Sequence, residues 1–224
     1  MATKSILAAL ADAYRAQTGV AVHIESVGGV DAAKRVQAGE AFDMVLLASD
    51  AIDRLIASGH VQAHSRCDWV NSPVAVAVKS GTPHPNIGSE ASLKAAVLAA
   101  PTLSYSTGPS GVYLDKLFER WGIAEQIKPR IVVPPPGTPV GSLVASGQVA
   151  LGFQQLSELI SVNGLDVVGH LPNEVAYITT FSSGIPVALA QDATRQQAVQ
   201  HFLSFLASAE VEPVKRQQGM TWAA

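Results

Sequence analysis

Residues 104–122 read SYSTGPSGVYLDKLFERWG. A short apolar run breaks at Thr107-Gly108-Pro109-Ser110-Gly111, and a strongly amphipathic segment begins. Val112, Leu114, Leu117, Phe118 and Trp121 give that segment a broad apolar face at helical spacing. The stretch is therefore strand, turn, helix. Two glycines, a proline and two hydroxyls at the mouth of a helix have two readings. One is turn chemistry alone. The other is an anion seated on unpaired backbone N–H groups and the partial positive charge of the helix start.

Outward from this stretch the same order recurs. On the N-terminal side, Ile6, Leu7, Leu10 and Tyr14 share a helical face closed by Gly19. VAVHIES (20–26) alternates like a strand, and VDAAKRVQAG (30–39) is a short helix stopped by Gly39. MVLLA (44–48) is a buried strand followed by the helix AIDRLIASG. PVAVAV (73–78) is a strand, and 79–90 is a loop by composition. After that loop the pattern restarts, with ASLKAAVLAA (91–100) helical. On the C-terminal side RIVV (130–133), VALGF (149–153), DVVGHL (166–171), AYITTFS (176–182) and IPVALA (185–190) read as strands, with a rigid loop at 134–139. TRQQAVQHFLSFLAS (194–208) is the clearest helix. Strands alternating with helices predict an α/β protein with parallel sheets covered on both faces, in two lobes.

Composition narrows the function. The chain has 224 residues, 48% hydrophobic and 15% charged, with a net charge of -3 and one cysteine, Cys67. A large core is available, and no apolar run reaches the ~18 residues of a membrane span. The absence of a basic block argues against nucleic acid as a partner. His60, His64, Cys67 and Asp68 cluster in HVQAHSRCD, but Gly59 interrupts helical spacing and the glutamate of a zinc-protease motif is missing, so no metal is expected. TGPSG is not the G-x-S-x-G nucleophile elbow, and no G-x-x-x-x-G-K phosphate loop occurs. No cofactor is expected.

Four times an apolar strand opens into a small or glycine-rich turn before a helix: SVGGV, LASDA, YSTGPSGV and FQQLS. In open sheets, ligands bind beyond the carboxyl ends of parallel strands. Such turns make an anion site with few cationic side chains, in keeping with 15 lysines and arginines in the chain.

VGGVDAAKRVQAGEAFDMVLLASDAIDRL, YSTGPSGVYLDKLFERWGI, SGQVALGFQQLSEL and FLSFLASAEVEPVKRQQGM, in this order, resemble the type II periplasmic solute-binding proteins, in the molybdate-binding-protein-like branch. The resemblance covers nearly the whole chain. It implies two Rossmann-like α/β lobes joined by a two-crossing hinge, with the ligand between them. Lobe 1 would be 1–77 plus 183–224 and lobe 2 the inserted 78–182, with crossings near 77–80 and 181–186. It also implies a periplasmic, monomeric protein working with a membrane transporter. Met1-Ala2-Thr3-Lys4 leads almost directly into the first amphipathic segment, with neither the signal peptide nor the leading strand that the family implies.

The family's ligand positions fall here on Thr3 and Lys4, on Gly28, Gly29 and Val30, on Ser49, on the loop ending at Val140, and on Gln155 where the molybdate binders carry a tyrosine. The serines of the first two turns are missing. The resemblance therefore implies an organic di- or tricarboxylate rather than molybdate or tungstate. Thr107, Gly108, Ser110 and Gly111 supply donors, and Arg66 can offer a guanidinium fork. The same branch contains an aconitate isomerase, which gives the alternative: an enzyme shifting a double bond in a tricarboxylate by proton transfer. Its base would come from His64, Tyr113, Lys4 or Glu25, none singled out by spacing.

Overall fold

The computed structural model describes residues 2–135 and 137–223. The chain forms two compact units, Met1–Ser72 with Thr180–Ala224, and Pro73–Thr179. It passes from one to the other at Ser72/Pro73 and returns at Thr179/Thr180, a few residues earlier than the sequence positions expected for the crossings. Among the described residues no helix is long and apolar enough to cross a membrane.

The first unit starts with α1 (Lys4–Thr18), α2 (Gly29–Gln37), β1 (Val45–Ala48) and α3 (Ser49–Ala57). β2 (Cys67–Lys79) then carries the chain onward. The second unit holds α4 (Glu90–Ala99), β3 (Leu103–Tyr105), α5 (Pro109–Arg120), α6 (Ala124–Ile127), α7 (Val140–Ala145), β4 (Leu151–Gln155), α8 (Leu156–Leu159) and β5 (Leu165–His170). β6 (Ile178–Gly184) brings the chain back, and α9 (Ala193–Leu206), α10 (Glu212–Gln217) and β7 (Thr221–Trp222) complete the first unit.

The expectation of parallel sheets is corrected by the pairing. In the first unit β1 runs antiparallel to β6, and β7 antiparallel to the start of β2. In the second, β2 lies antiparallel to both β4 and β5. β3 and β4 form a parallel pair, in the register Leu103↔Leu151, Ser104↔Gly152 and Tyr105↔Phe153. A long helical crossover through α5 to α7 joins these two, as a parallel connection requires. β2 is long enough for its start to pair within the first unit and its end within the second.

Three expected strands are absent for separable reasons. Residues 20–26 do alternate in exposure, with Val22 and Ile24 turned toward the core of the first unit, but no strand ladder is formed with them among the described residues. The period-2 pattern fixes a buried face and cannot supply a partner strand. At 130–133 pairing stops at one bridge, Leu103↔Ile131, because Pro134 and Pro135 lack ladder N–H groups. At 185–190 the 3₁₀ turn Val187–Gln191 follows Pro186. The rigid loop expected at 134–139 includes Pro136, which lies outside the described residues.

Each unit has its own core. In the second, Leu114, Leu117 and Phe118 of α5 are buried against Val76, Leu103, Leu151 and Phe153. Each such side chain contributes about 1.5–3 kcal/mol of burial. Phe118 also meets the rings of Tyr105 and Phe153 edge-on, at centroid distances of 5.7 and 6.2 Å. This packing fixes α5 against β3 and β4, and so fixes the turn at its start.

Candidate functional site

Because β3 and β4 are parallel neighbours, the segments that leave them emerge at the same end of the sheet. One is Ser106–Gly111, opening α5; the other is Gln154–Glu158, entering α8. That end is where ligands bind in sheets of this kind.

The α5 turn is tightly built. Gly108 is its N-cap and Pro109 occupies the first helical turn, where a missing N–H costs nothing. Ser110 and Gly111 are buried, and Ser110 Oγ meets Ser106 Oγ at 2.9 Å. The N–H groups of Gly111 and Val112 both point back to the Gly108 carbonyl, at 2.9 and 3.1 Å. Thr107 is exposed at the rim. No side chain caps this helix.

Lack of a side-chain cap is shared by the helices the sequence singled out. α1 after Thr3, α2 after Gly28, α3 after Ala48, α7 after Pro139 and α8 after Gln155 have none. By contrast α4 carries a full capping box from Ser89 and Ser92, and Asp192 caps α9. An uncapped start keeps its backbone donors for solvent or ligand.

The β4 end is polar and largely closed. Gln154 and Gln155 are 3% and 5% exposed, in the middle of a chain that buries few polar side chains. Gln154 Oε1 accepts from the Gly141 N–H in the first turn of α7, at 2.9 Å. Gln155 Nε2 lies 2.6 Å from Thr179 Oγ1, and Gln155 Oε1 has no hydrogen-bond partner. The Thr179 hydroxyl can donate or accept, so the same geometry accommodates the reversed amide, with Nε2 free to donate. Ser157 Oγ is likewise buried without a partner. Glu158 follows, half-buried, and burial pushes its carboxyl above the ordinary carboxylate value. Val140 is buried one residue from Gly141.

An orphaned buried hydroxyl destabilises a fold unless something else gains from it. Ser157→Ala is therefore expected to raise unliganded stability by about 1 kcal/mol. Urea denaturation checks this, and a loss of stability would show that Ser157 has a structural partner.

The remaining sequence candidates are placed as follows. In the first unit, Gly28, Gly29 and Val30 are exposed at the start of α2, and Ser49 opens α3 directly from β1. Thr3 is buried and Lys4 exposed at the start of α1. Arg66 is engaged: its Nη1 donates to Asp53 at 2.8 Å, while Nε and Nη2 donate to Asp68, both at 3.1 Å. Such a doubly paired guanidinium has few donors left for a ligand. His64 is exposed in the 3₁₀ turn Ala63–Ser65. In the second unit the Tyr113 hydroxyl donates to the Val175 carbonyl at 2.9 Å, and its ring stacks on Tyr177 at 4.5 Å. Burial pushes that phenol above its ordinary value. Among the described residues no cluster of three metal-ligating side chains occurs.

Sequence reading did not single out Gln154 and Ser157, although FQQLS was marked as a binding turn; the signal available was the run of polar residues that directly follows the apolar stretch VALGF.

Comparison with known proteins adds three findings. Residues 1–221 match the family model described as bacterial extracellular solute-binding protein. An aconitate isomerase from Pseudomonas sp is 36% identical over 219 residues, 94% of this chain and 81% of that protein. Among solved structures, the periplasmic molybdate-binding protein of Azotobacter vinelandii superposes with a TM-score of 0.76 at 20% identity, covering 99% of this chain and 95% of that one. The sulfate-binding protein of Mycobacterium tuberculosis H37Rv gives 0.74 at 16% identity, covering 96% and 82%. At such identities the structural matches establish the fold alone.

Proposed function

The chain belongs to the bacterial extracellular solute-binding proteins, and from that premise we propose that it binds a tricarboxylate of the aconitate type and moves its double bond by proton transfer. The observation that carries this reading is the 36% identity to an aconitate isomerase along 94% of the chain. The oxyanion binders that share the fold stand at 20% and 16%. The chemistry at the ends of β3 and β4 supports it. Three carboxylates need several donors, and the Ser110 N–H in the uncapped first turn of α5, the Ser157 hydroxyl and, with its amide reversed against Thr179, the Gln155 nitrogen are donors of the right kind. Gln155 stands where the molybdate binders of the resemblance carry a tyrosine, which favours an organic anion over molybdate.

Family membership itself favours a second reading, in which the protein captures the tricarboxylate and delivers it to a membrane transporter. A periplasmic location belongs to both readings. The two differ in what must be bound best: a carrier holds the ground state, an isomerase the proton-transfer transition state.

One experiment separates them. The purified protein is incubated with trans-aconitate, and cis-aconitate is followed by NMR beside a thermal-shift series with trans-aconitate, citrate and molybdate. Turnover, with stabilisation by the tricarboxylates and little by molybdate, is the expected outcome. Stabilisation without turnover returns the protein to the carrier reading. A shift with molybdate alone refutes both.

A further inference from the structure

A glutamine side chain has two unlike ends: its oxygen accepts and its nitrogen donates. The end it turns outward decides which ligand groups it can meet. At Gln155 one end is taken. The amide lies 2.6 Å from the Thr179 hydroxyl, and its other end stands buried with no partner among the described residues. Gln155 and Thr179 are each 5% exposed. Water therefore does not set the direction of this amide, whereas the Thr179 hydroxyl can.

Both residues belong to the second unit, and β2 places them. Gln155, the last residue of β4, lies opposite Val74. The Val74 N–H donates to the Tyr177 carbonyl at 3.0 Å, two residues before Thr179. Backbone pairing on either side of one β2 residue thus keeps the hydroxyl beside the amide.

The two directions of the amide are not equivalent. With Nε2 toward Thr179, the buried end is an acceptor, Oε1, which repels a carboxylate. With the amide reversed, the Thr179 O–H donates to Oε1 and Nε2 becomes the free end. The separation favours the second arrangement: 2.6 Å is inside the range of O–H···O bonds and shorter than N–H···O bonds usually are. Two residues on, Ser157 Oγ is also buried without a partner, and its hydroxyl can donate. Reversal therefore turns the unpartnered polar groups of this segment into donors alone, which an ionised carboxylate satisfies, since its oxygens only accept.

We propose that Thr179 is a positioning residue: its hydroxyl holds Gln155 Oε1 and so turns Nε2 toward one carboxylate of the ligand. The role rests on the tricarboxylate reading and belongs to the isomerase and the carrier alike. Thr179 acts through Gln155 and not on the ligand. Without the hydroxyl the amide rotates freely, and the donor is no longer directed before the ligand arrives.

Thr179→Val keeps the shape of the side chain and removes the hydroxyl, and Thr179→Ser keeps the hydroxyl. Equilibrium dialysis against an equilibrated mixture of the aconitate isomers gives an apparent Kd for each protein. Thr179→Val should bind about tenfold more weakly than wild type, the effect of a lost pre-organised donor, and Thr179→Ser within about twofold. In a Gln155→Met background, where no amide remains to be turned, Thr179→Val should change Kd less than about twofold. A Thr179→Val protein within about twofold of wild type overturns the role, as does a Thr179→Ser protein as weak as Thr179→Val. A further tenfold loss in the Gln155→Met background also overturns it, because Thr179 would then act on its own. In each of these cases wild type still binds, and the tricarboxylate reading stands. A wild-type protein that retains neither isomer overturns the reading and the role together. Should Thr179→Val fail to fold, Thr179→Cys, with a weak sulfur donor in a small side chain, carries the test: its Kd should rise at least about fivefold, and wild-type affinity overturns the role.

Discussion

Gly111→Ala is expected to lose about 3 kcal/mol of stability or more and to abolish ligand stabilisation, whereas Gly108→Ala, three residues earlier, costs less than about 1 kcal/mol. The contrast comes from what each new methyl group would meet. At Gly111 it would stand 1.6 Å from the Ser106 carbonyl oxygen and 2.8 Å from the Ser106 carbonyl carbon. Those are backbone atoms of the strand-to-helix turn, and no rotamer change relieves them. Either α5 withdraws, exposing part of the Leu114–Phe118 face, or the turn opens and its donors scatter. At Gly108 the nearest atom is Ser106 Oγ at 3.8 Å, and φ is -85°, open to any residue. The small cost there is only that of alanine at an N-cap. Urea denaturation with and without trans-aconitate measures both effects. Equal stabilities for the two variants would show that the turn yields, and that Gly111 is not required by close approach.

That pair also shows what could be read from the sequence. The start of α5 was legible because Gly108, Pro109, Ser110 and Gly111 carry local signals of a turn and a helix entry. α9 was legible from periodicity, and glycines after α1 and α3 marked their ends. The direction of the strands was not. β2 pairs antiparallel with β4 some eighty positions later, and nothing in PVAVAV or VALGF encodes which neighbour it will have. VAVHIES had the alternation of a strand and the buried face to match, yet pairing is a property of two segments. The site divided along the same line. Turns opening helices were found from composition. The setting of Gln154 was not, because its oxygen is held by the Gly141 N–H, which reaches it only through the packing of α7 on β4. Arg66 was attractive as a lone cation, until folding brought Asp53 and Asp68 to it.

Lys215 is the case where folding created a feature no motif announces, and its removal should be the most damaging single change in the first unit. The side chain is 0% exposed, and its Nζ donates to the Trp69 carbonyl of β2 at 2.8 Å. Lys215→Ala deletes that donor and leaves the volume of a four-carbon stem, a loss on the order of 3–5 kcal/mol. Lys215→Met keeps the volume and removes the charge, so it should cost well under half as much. Burial holds the ammonium below its ordinary value of 10.5, with the Glu212 and Cys67 charges acting in the opposite direction. The sign of the pH effect follows. Between the lowered folded value and 10.5 the unfolded chain binds a proton that the folded protein does not, so stability rises with pH across that window. Below the lowered value both states are protonated and the burial penalty is fully present. Urea midpoints measured through the alkaline range should therefore climb in wild type relative to Lys215→Met, in which the group is gone. Parallel pH profiles for the two proteins would mean that Lys215 titrates alike in the folded and unfolded chains, and that its burial carries no electrostatic penalty.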